Sequence, residues 1–366
     1  MAVWYRKALE AVPAYEAGRA PAAGSGGAPP LKLSSNESLW GPSPAVQERL
    51  RALAGEVYRY PDPAATGLRR ALADAAGLDP AQVVVGNGAD EILRLVTTVF
   101  LEAGTEAVLP APSFAAYRLY AALAGAAVRE VPLGPDGGMD LEAMAAAVSS
   151  RTRVVFLCNP NNPTGVVTPR AAWERFLDRL PQGVVVVSDE AYREFVTDPA
   201  YPDTLAAVRE GRPVIHVRTF SKLYALAGLR VGWAALPAGL AELLWRARDP
   251  FANNSLGLAA AEAALADRAW TAHVQAETLA ARRRLEEGLS RRGLRFTPSQ
   301  TNFVLLDVRP ESGSAFAARL ETAGIAVRAT ESFGLPGHVR ITVPPAAHLG
   351  RLLEALEAAQ AEGPRS

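Results

Sequence analysis

The sequence has few of the residues on which many kinds of active site depend. Its 366 residues include one cysteine, Cys158, so an internal disulfide is impossible and a reducing, cytoplasmic compartment is expected. The four histidines have no close metal-ligand spacing, and we predict no metal site. A Gly-x-Ser-x-Gly elbow and a Walker A loop are also absent.

Net charge and long apolar runs are absent as well. The 38 basic residues balance 38 acidic residues, which disfavours a nucleic-acid surface or a polybasic membrane patch. No apolar run reaches the roughly 18 residues of a membrane helix, and the N-terminus lacks the apolar core of a signal peptide. We therefore expect small-molecule partners, with no nucleic acid and no membrane.

Lysine is scarce, and one lysine has unusual surroundings. Only Lys7, Lys32 and Lys222 occur, and all other basic residues except histidine are arginines. Arginine cannot form an imine, because its guanidinium stays protonated. Lys222 follows an apolar run at 214–217, in a segment of sequence TFSK, and small residues come after it. This setting suits a reactive amine, although a surface lysine is the alternative interpretation.

The pattern of apolar runs predicts an α/β fold. Nearly continuous runs favour a mostly parallel sheet buried on both faces, flanked by helices. The predicted strands are 83–85, 107–109, 127–131, 154–157, 184–188, 214–218 and 231–235. After residue 250, a long helical stretch at 256–292 and shorter strands predict a smaller α+β domain. We predict an arm and linker at 1–38 that packs with the small domain, a large domain at 39–249 and the small domain at 250–366.

Polar motifs follow several of these strands. The segment 86–91, GNGADE, suits a phosphate at a helix N-terminus, but it also suits a plain helix cap. A nicotinamide site is disfavoured, because Glu91 stands where the third glycine of that fingerprint belongs. Asp189 ends a buried strand, where a carboxylate needs a cation or a strong donor. An arginine or a protonated pyridine nitrogen would serve as that partner.

The ordered motifs resemble a known family. GNGADE, PSF, NPNNPTG, SDEAY, TFSK and AGLR, in this order and spacing, are similar to those of fold type I pyridoxal-phosphate aminotransferases. The similarity is strongest to the histidinol-phosphate aminotransferase branch and covers nearly the whole chain. It implies pyridoxal 5'-phosphate as cofactor, with Lys222 as the lysine that binds it covalently and moves the proton. Asp189 is implied to pair with the pyridine nitrogen.

The resemblance also implies the remaining cofactor contacts. Asn162 and Tyr192 bond the ring oxygen, and Phe114 stacks on the ring. The cofactor phosphate is held by the backbone of Ala89 and Asp90, the hydroxyls of Thr219 and Ser221, and the guanidinium of Arg230. Tyr60 is implied to reach the phosphate of a neighbouring subunit, hence a homodimer. Apart from the resemblance, Phe114 and Tyr60 would be ordinary core or interface aromatics.

Substrate recognition is implied for a further set of residues: Tyr15, Asn36, Asn162, Arg328 and Arg340. Two arginines suit a dianionic phosphate, because each offers a planar fork of donors. For Arg328 alone, a surface salt bridge is the alternative. The family commonly has Asn-Glu-Asn-Pro before a Gly-Pro turn beside the substrate pocket, whereas here Asn36-Glu37 is followed by Ser38-Leu39-Trp40-Gly41. Trp40 is expected to narrow or reshape the pocket, or to stack on an aromatic ring.

The implied function is transfer of an amino group between histidinol phosphate and 2-oxoglutarate, in histidine biosynthesis. Two rivals share the fold and cofactor, namely an aromatic amino-acid aminotransferase and a threonine-phosphate decarboxylase. A non-catalytic binding protein is the alternative from another class. The joint presence of Lys222, Asp189, Asn162, Tyr192 and Arg230 argues against it.

Overall fold

The computed structural model describes residues 3, 6–11, 18 and 29–363 of the chain. Its strands are β1 Leu31–Lys32, β2 Val83–Gly86, β3 Glu106–Ala111, β4 Ala127–Pro132, β5 Thr152–Cys158, β6 Val185–Asp189, β7 Val214–Thr219, β8 Gly232–Ala235, β9 Arg295–Thr297, β10 Phe303–Asp307, β11 Ile325–Ala326, β12 Arg328–Ala329 and β13 His338–Thr342. Its α-helices are α1 Pro44–Leu53, α2 Thr66–Ala76, α3 Ala89–Phe100, α4 Ala116–Ala124, α5 Leu141–Ala146, α6 Arg170–Arg179, α7 Thr204–Arg209, α8 Ala238–Ala247, α9 Ser255–Ala266, α10 Arg268–Arg291, α11 Gly313–Thr322 and α12 Ala346–Ala361. Short 3₁₀ turns include Ala227–Leu229 and Glu331–Phe333.

A seven-stranded sheet forms the centre of the larger part of the chain. Its order is β2-β8-β7-β6-β5-β3-β4. Strand β8 runs antiparallel to the other six strands, which all run in one direction. Every residue of β2 and β6 is buried, as expected for strands covered on both faces by helices. The prediction of an α/β fold with a mostly parallel sheet is therefore confirmed.

A second, smaller layer follows α9. The sheet β12-β13-β10-β9 is antiparallel and packs on α10, α11 and α12 through a core that contains Leu285, Leu306 and Leu352. Strand β1 pairs in parallel with β11, and Leu33 lies in the same core. Residues 31–33 therefore pack with the smaller layer. The domain boundaries at 38/39 and 249/250 stay predictions.

The long helical stretch expected at 256–292 is two helices. Asp267 leaves the helical conformation at φ −83° and ψ 70°, and its carboxylate accepts a hydrogen bond from the Trp270 N–H at 3.1 Å. An aspartate that caps a new helix favours a break over continuous helix. Residues 325–329 likewise form two short strands, β11 and β12, which pair in different sheets.

One buried arginine joins α10 to two loops of the site region. The Arg282 side chain is 4% exposed, and its Nη1 donates to the carbonyl oxygens of Phe195 and Thr301 at 3.0 and 2.9 Å. Gln275, also on α10, donates to the Glu194 carbonyl at 2.5 Å. Because hydrogen bonds from charged donors are strong, α10 fixes the loop after β6 against the smaller layer.

Within the described residues, no helix has both the length and the apolar content needed to cross a membrane.

Candidate active site

The functional side chains gather where parallel strands end. Asp189 at the end of β6 lies in register with Cys158 on β5 and Val217 on β7. The turn that contains Asn162 follows β5, and the segment that contains Lys222 follows β7. The carboxyl ends of parallel strands share one edge of a sheet, and ligands of open α/β sheets bind there.

The structure brings the predicted residues together around one cavity of about 270 Å³. Of the predicted site residues that the structure describes, all except Tyr60 line it. These lining residues are Asn36, Ala89, Asp90, Phe114, Asn162, Asp189, Tyr192, Thr219, Ser221, Lys222, Arg230, Arg328 and Arg340. The cavity also contacts residues that the sequence did not single out, among them Ser35, Cys158 and Phe333.

One end of the cavity is formed by the start of α3. Gly88 precedes this helix at φ 81°, and no side chain caps the first turn. A Cβ at Gly88 would meet the Arg230 guanidinium, and a Cβ at Gly232 would meet the backbone of Gly88 and Ala89. The absence of side chains therefore lets the strand, the helix start and the guanidinium approach closely. Backbone N–H groups beside a guanidinium form a site for a phosphate.

Hydroxyl groups add further donors at this end. Thr219 and Ser221 are both buried, and the Arg230 Nη1 lies 3.5 Å from the Ser221 Oγ. Arg230 has a left-handed backbone, with φ 53°, and its Nη2 donates to Asp90 at 2.9 Å. Its guanidinium is thereby held beside the start of α3.

Asp189 is a buried carboxylate that lines the cavity. Burial raises its pKa to about 6, although a hydrogen bond from the Tyr117 hydroxyl at 2.8 Å opposes that rise. The pKa of the neighbouring carboxylate, Glu190, changes in the opposite direction. Burial alone would raise the pKa of Glu190 too, but His216, whose Nδ1 lies 3.1 Å away, together with Thr204 and Arg218 brings that pKa down to about 2. Asp189 forms no ion pair with any described arginine or lysine.

Lys222 has the surroundings of a reactive amine. Desolvation by burial and the positive charge of Arg340 lower the pKa of Lys222 to about 8. Its Nζ donates to the Ser35 carbonyl at 3.3 Å and lies 5.7 Å from the centre of the Tyr192 ring. A larger share of this amine is neutral near neutral pH than of an exposed lysine, and the neutral form is the nucleophile.

A hydrogen-bond network connects the other polar groups of the cavity. The Asn36 amide donates to the Tyr192 hydroxyl at 2.9 Å. Arg340 donates to the Asn162 side-chain oxygen at 2.6 Å and to the Ser34 carbonyl at 2.9 Å. Asn36, buried at φ 55°, is held by Thr342 through its backbone N–H at 2.9 Å. The segment 34–36 therefore contacts an arginine, the lysine and the tyrosine of the site in turn.

Two arginines face the cavity from the smaller layer. Arg328 on β12 and Arg340 on β13 are direct Cα partners in the antiparallel pair. Arg328 donates to the Ser332 hydroxyl at 3.0 Å. We refer to Arg328 and Arg340 as the arginine pair.

Two predicted features that the structure describes, Tyr60 and Trp40, do not line the cavity. Tyr15 lies outside the residues that the structure describes. Tyr60 is 81% exposed and stacks on Phe251, with ring centres 4.5 Å apart. Trp40 packs against the buried cluster that contains Tyr192 and Phe303, and it is not one of the residues that line the cavity. The effect of Trp40 on the pocket stays a prediction.

Tyr117 is a site residue that the sequence reasoning missed. It is fully buried, stacks on Phe156 with ring centres 5.0 Å apart and meets the edge of Phe114 at 5.6 Å. Its position three residues after Phe114, where a helix begins, puts both side chains on one face. That spacing is the signal that would have found it.

Comparison with known proteins agrees with this geometry. Residues 28–356 match the family model for aminotransferase class I and II. The chain belongs to this family. This aminotransferase is 44% identical over 333 residues to histidinol-phosphate aminotransferase 2 of Methylococcus capsulatus, which covers 89% of both chains. It is 40% identical over 327 residues to histidinol-phosphate aminotransferase of Brevibacillus brevis, again at 89% of both.

A solved structure is also similar to this aminotransferase. The histidinol-phosphate aminotransferase from Sinorhizobium meliloti in complex with pyridoxal-5'-phosphate has a TM-score of 0.87 and 30% identity, over 98% of each chain. Enzymes of the family use this cofactor, and the residues of the cavity fit it. Phosphate donors, a partly buried aromatic ring, a buried carboxylate without a cation and a lysine of low pKa all lie around one space.

We expect Lys222→Arg to abolish activity, because arginine keeps the charge but cannot bond the cofactor covalently. Turnover should fall by more than about 10²-fold. Borohydride reduction followed by mass spectrometry should find the cofactor on Lys222 in the wild type and on no residue in the variant. The control is Lys32→Arg, an equivalent change at a lysine that pairs with Glu37. Cofactor attached to Lys32 in the wild type would refute the assignment.

We expect Tyr117→Phe to change how cofactor affinity depends on pH. Loss of the donor should raise the pKa of Asp189 above about 6, because the Tyr117 hydrogen bond lowers it. Asp189 must be ionised to pair with a protonated ring nitrogen, so affinity should weaken on acidification, with a midpoint at higher pH in the variant. Titration of the apoenzyme with cofactor by tryptophan fluorescence measures this midpoint.

The control for that experiment is Tyr201→Phe. Tyr201 is also buried, but its hydroxyl donates to the Asn159 carbonyl at 2.5 Å and does not contact Asp189. Its loss should reduce stability without moving the midpoint. An unchanged midpoint in Tyr117→Phe would show that this hydroxyl does not control Asp189.

Proposed function

We propose that this aminotransferase is a histidinol-phosphate aminotransferase, which transfers the amino group between histidinol phosphate and 2-oxoglutarate. The observation that carries the proposal is the arginine pair, two guanidinium groups on adjacent strands at the same cavity as Lys222. Histidinol phosphate has a phosphate and no carboxylate, and a dianion suits two arginines better than one. The printed names of the relatives agree with this choice.

The cofactor supplies, when bound, a conjugated ring that withdraws electrons from the substrate carbon that carries the nitrogen. Asp189 is proposed to hold the ring nitrogen in its protonated form through its buried carboxylate. The Tyr192 hydroxyl and the Asn162 amide would orient the ring oxygen, and Phe114 would pack on the ring face. Arg230 and the start of α3 would hold the phosphate.

Lys222 has two proposed tasks. Its Nζ bonds the cofactor in the resting enzyme, and once released it accepts the proton from the substrate carbon and returns it to the cofactor side. Both tasks require a neutral amine, which a pKa near 8 makes available. The arginine pair would meanwhile hold the substrate phosphate and thereby keep the reacting carbon beside Nζ.

We also propose a homodimer in the cytoplasm. An exposed apolar patch supports the dimer, since Val57, Tyr58, Tyr60 and Phe251 are 59%, 73%, 81% and 42% exposed. Contiguous exposed apolar residues of this kind are typical of protein interfaces. Tyr60 would cross that interface and reach the cofactor phosphate of the partner subunit.

We expect the wild type to react with histidinol phosphate in preference to phenylalanine, measured as the change in cofactor absorption in single-turnover titrations. In Arg328→Gln, kcat/KM for histidinol phosphate should fall about 10- to 100-fold, as for the loss of charged hydrogen bonds to a phosphate. Phenylalanine, with one carboxylate, should be much less affected.

Arg291→Gln is the control for that variant, because Arg291 is an exposed arginine of α10 whose side chain is 69% exposed. It should behave as the wild type. A wild type that prefers phenylalanine would make the enzyme an aromatic amino-acid aminotransferase. Release of carbon dioxide from threonine phosphate would make it a decarboxylase.

We expect Tyr60→Ala and Lys222→Arg to complement each other when refolded or co-expressed together. Each variant alone should be nearly inactive or bind cofactor at least about tenfold more weakly. In a mixed dimer, one site combines Lys222 from one subunit with Tyr60 from the other, so activity should return. Light scattering measures the oligomer. A monomer, or a mixture without recovered activity, would contradict a shared site.

A further inference from the structure

Phe333 is an aromatic residue of the cavity for which the proposed mechanism has no role. It ends the 3₁₀ turn Glu331–Phe333 between β12 and β13, and its ring lines the same cavity as Lys222. The Phe333 ring centre lies 5.5 Å from the guanidinium carbon of Arg328 and 5.6 Å from that of Arg340. One ring therefore contacts both members of the arginine pair.

The two positive charges of the arginine pair repel each other, and the Phe333 ring offsets part of this repulsion. Arg328 and Arg340 are directly opposite each other in register, and like charges in opposite positions are unfavourable. The face of an aromatic ring carries negative charge and attracts a guanidinium within about 6 Å. The Phe333 ring thus favours an arrangement in which both guanidinium groups stay at the cavity before an anion binds.

The loop that carries the ring is fixed by its own hydrogen bonds. The Thr330 hydroxyl donates to the Leu335 carbonyl at 2.6 Å and lies 3.0 Å from the His338 carbonyl. Gly334 ends the turn at φ 80°, a conformation that glycine adopts without strain. Because the loop is closed in this way, the backbone of Phe333 is held in place between β12 and β13.

We propose that Phe333 is a specificity-determining residue that positions the arginine pair for a phosphate dianion. This inference rests on the proposed function, since it concerns the phosphate of the same substrate. The ring contributes to binding of the phosphate group and not to the chemistry at Lys222. Its effect should therefore appear in KM, and only for substrates that carry the phosphate.

The test compares histidinol phosphate with histidinol, which lacks the phosphate, in the holoenzymes of the wild type, Phe333→Leu and Phe333→Tyr. The ratio of the two kcat/KM values measures what the phosphate contributes, and it does not depend on the fraction of active enzyme. Phe333→Leu should lower this ratio about 5- to 30-fold through the KM for histidinol phosphate, as expected for two cation–π contacts. Phe333→Tyr, which keeps the ring, should retain the wild-type ratio.

Phe296→Leu is the matched control, because Phe296 is a partly buried phenylalanine that packs on the core of the smaller layer. It should leave the ratio unchanged. An unchanged ratio in Phe333→Leu would overturn the inference. If the ratio is unchanged because kcat/KM falls equally for both substrates, the ring would instead be assigned to contact with the imidazole. If the wild type itself shows no preference for histidinol phosphate over histidinol, the proposed function is wrong, and the role of Phe333 is wrong with it.

Discussion

A buried carboxylate that lacks a cation is the constraint on which the site depends. Asp189 ends a strand in the middle of the large sheet, where burial raises its pKa to about 6. Glu190, the next residue, is equally buried, but His216, Thr204 and Arg218 together lower its pKa to about 2. Of these two adjacent carboxylates, Glu190 has cationic and hydrogen-bonding partners within the chain, whereas Asp189 has no cationic partner among the described residues. In the proposed function, a protonated pyridine ring of the cofactor would supply the missing cation.

The two layers of the chain share the site through the segment 34–36. This segment pairs with the smaller layer, yet its carbonyl groups accept hydrogen bonds from Arg340 and Lys222. Arg340 in turn donates to Asn162, which belongs to a loop of the large sheet. An anion bound at the arginine pair therefore acts on groups that also contact the lysine and the cofactor pocket. The groups proposed to bind the substrate are therefore hydrogen-bonded to groups proposed to orient the cofactor.

The sequence predicts the large sheet and most of the cavity lining because both depend on local patterns. Strands buried on both faces are continuous in valine and leucine, and polar motifs at their ends must share one edge of the sheet. The break at Asp267 depends on a cap that is stronger than the helix propensity around it, so the pattern missed it. The spacing from Phe114 places Tyr117 near the site but does not reveal its hydrogen bond to Asp189, and the contacts of Phe333 with Arg328 and Arg340 depend on the fold. The roles of the lining residues stay predictions.

The basicity of Lys222 depends on the same charges that bind the ligands. After burial, the groups that lower its pKa are Arg340 and Arg230, while Asp90 and Glu37 raise it. In the proposed roles, a substrate anion would neutralise the first arginine, and the cofactor phosphate would neutralise the second. Both events would raise the affinity of the amine for a proton. Under the proposed function, Lys222 would therefore be a stronger base with cofactor and substrate bound than in the chain alone, at the stage when the substrate proton is removed.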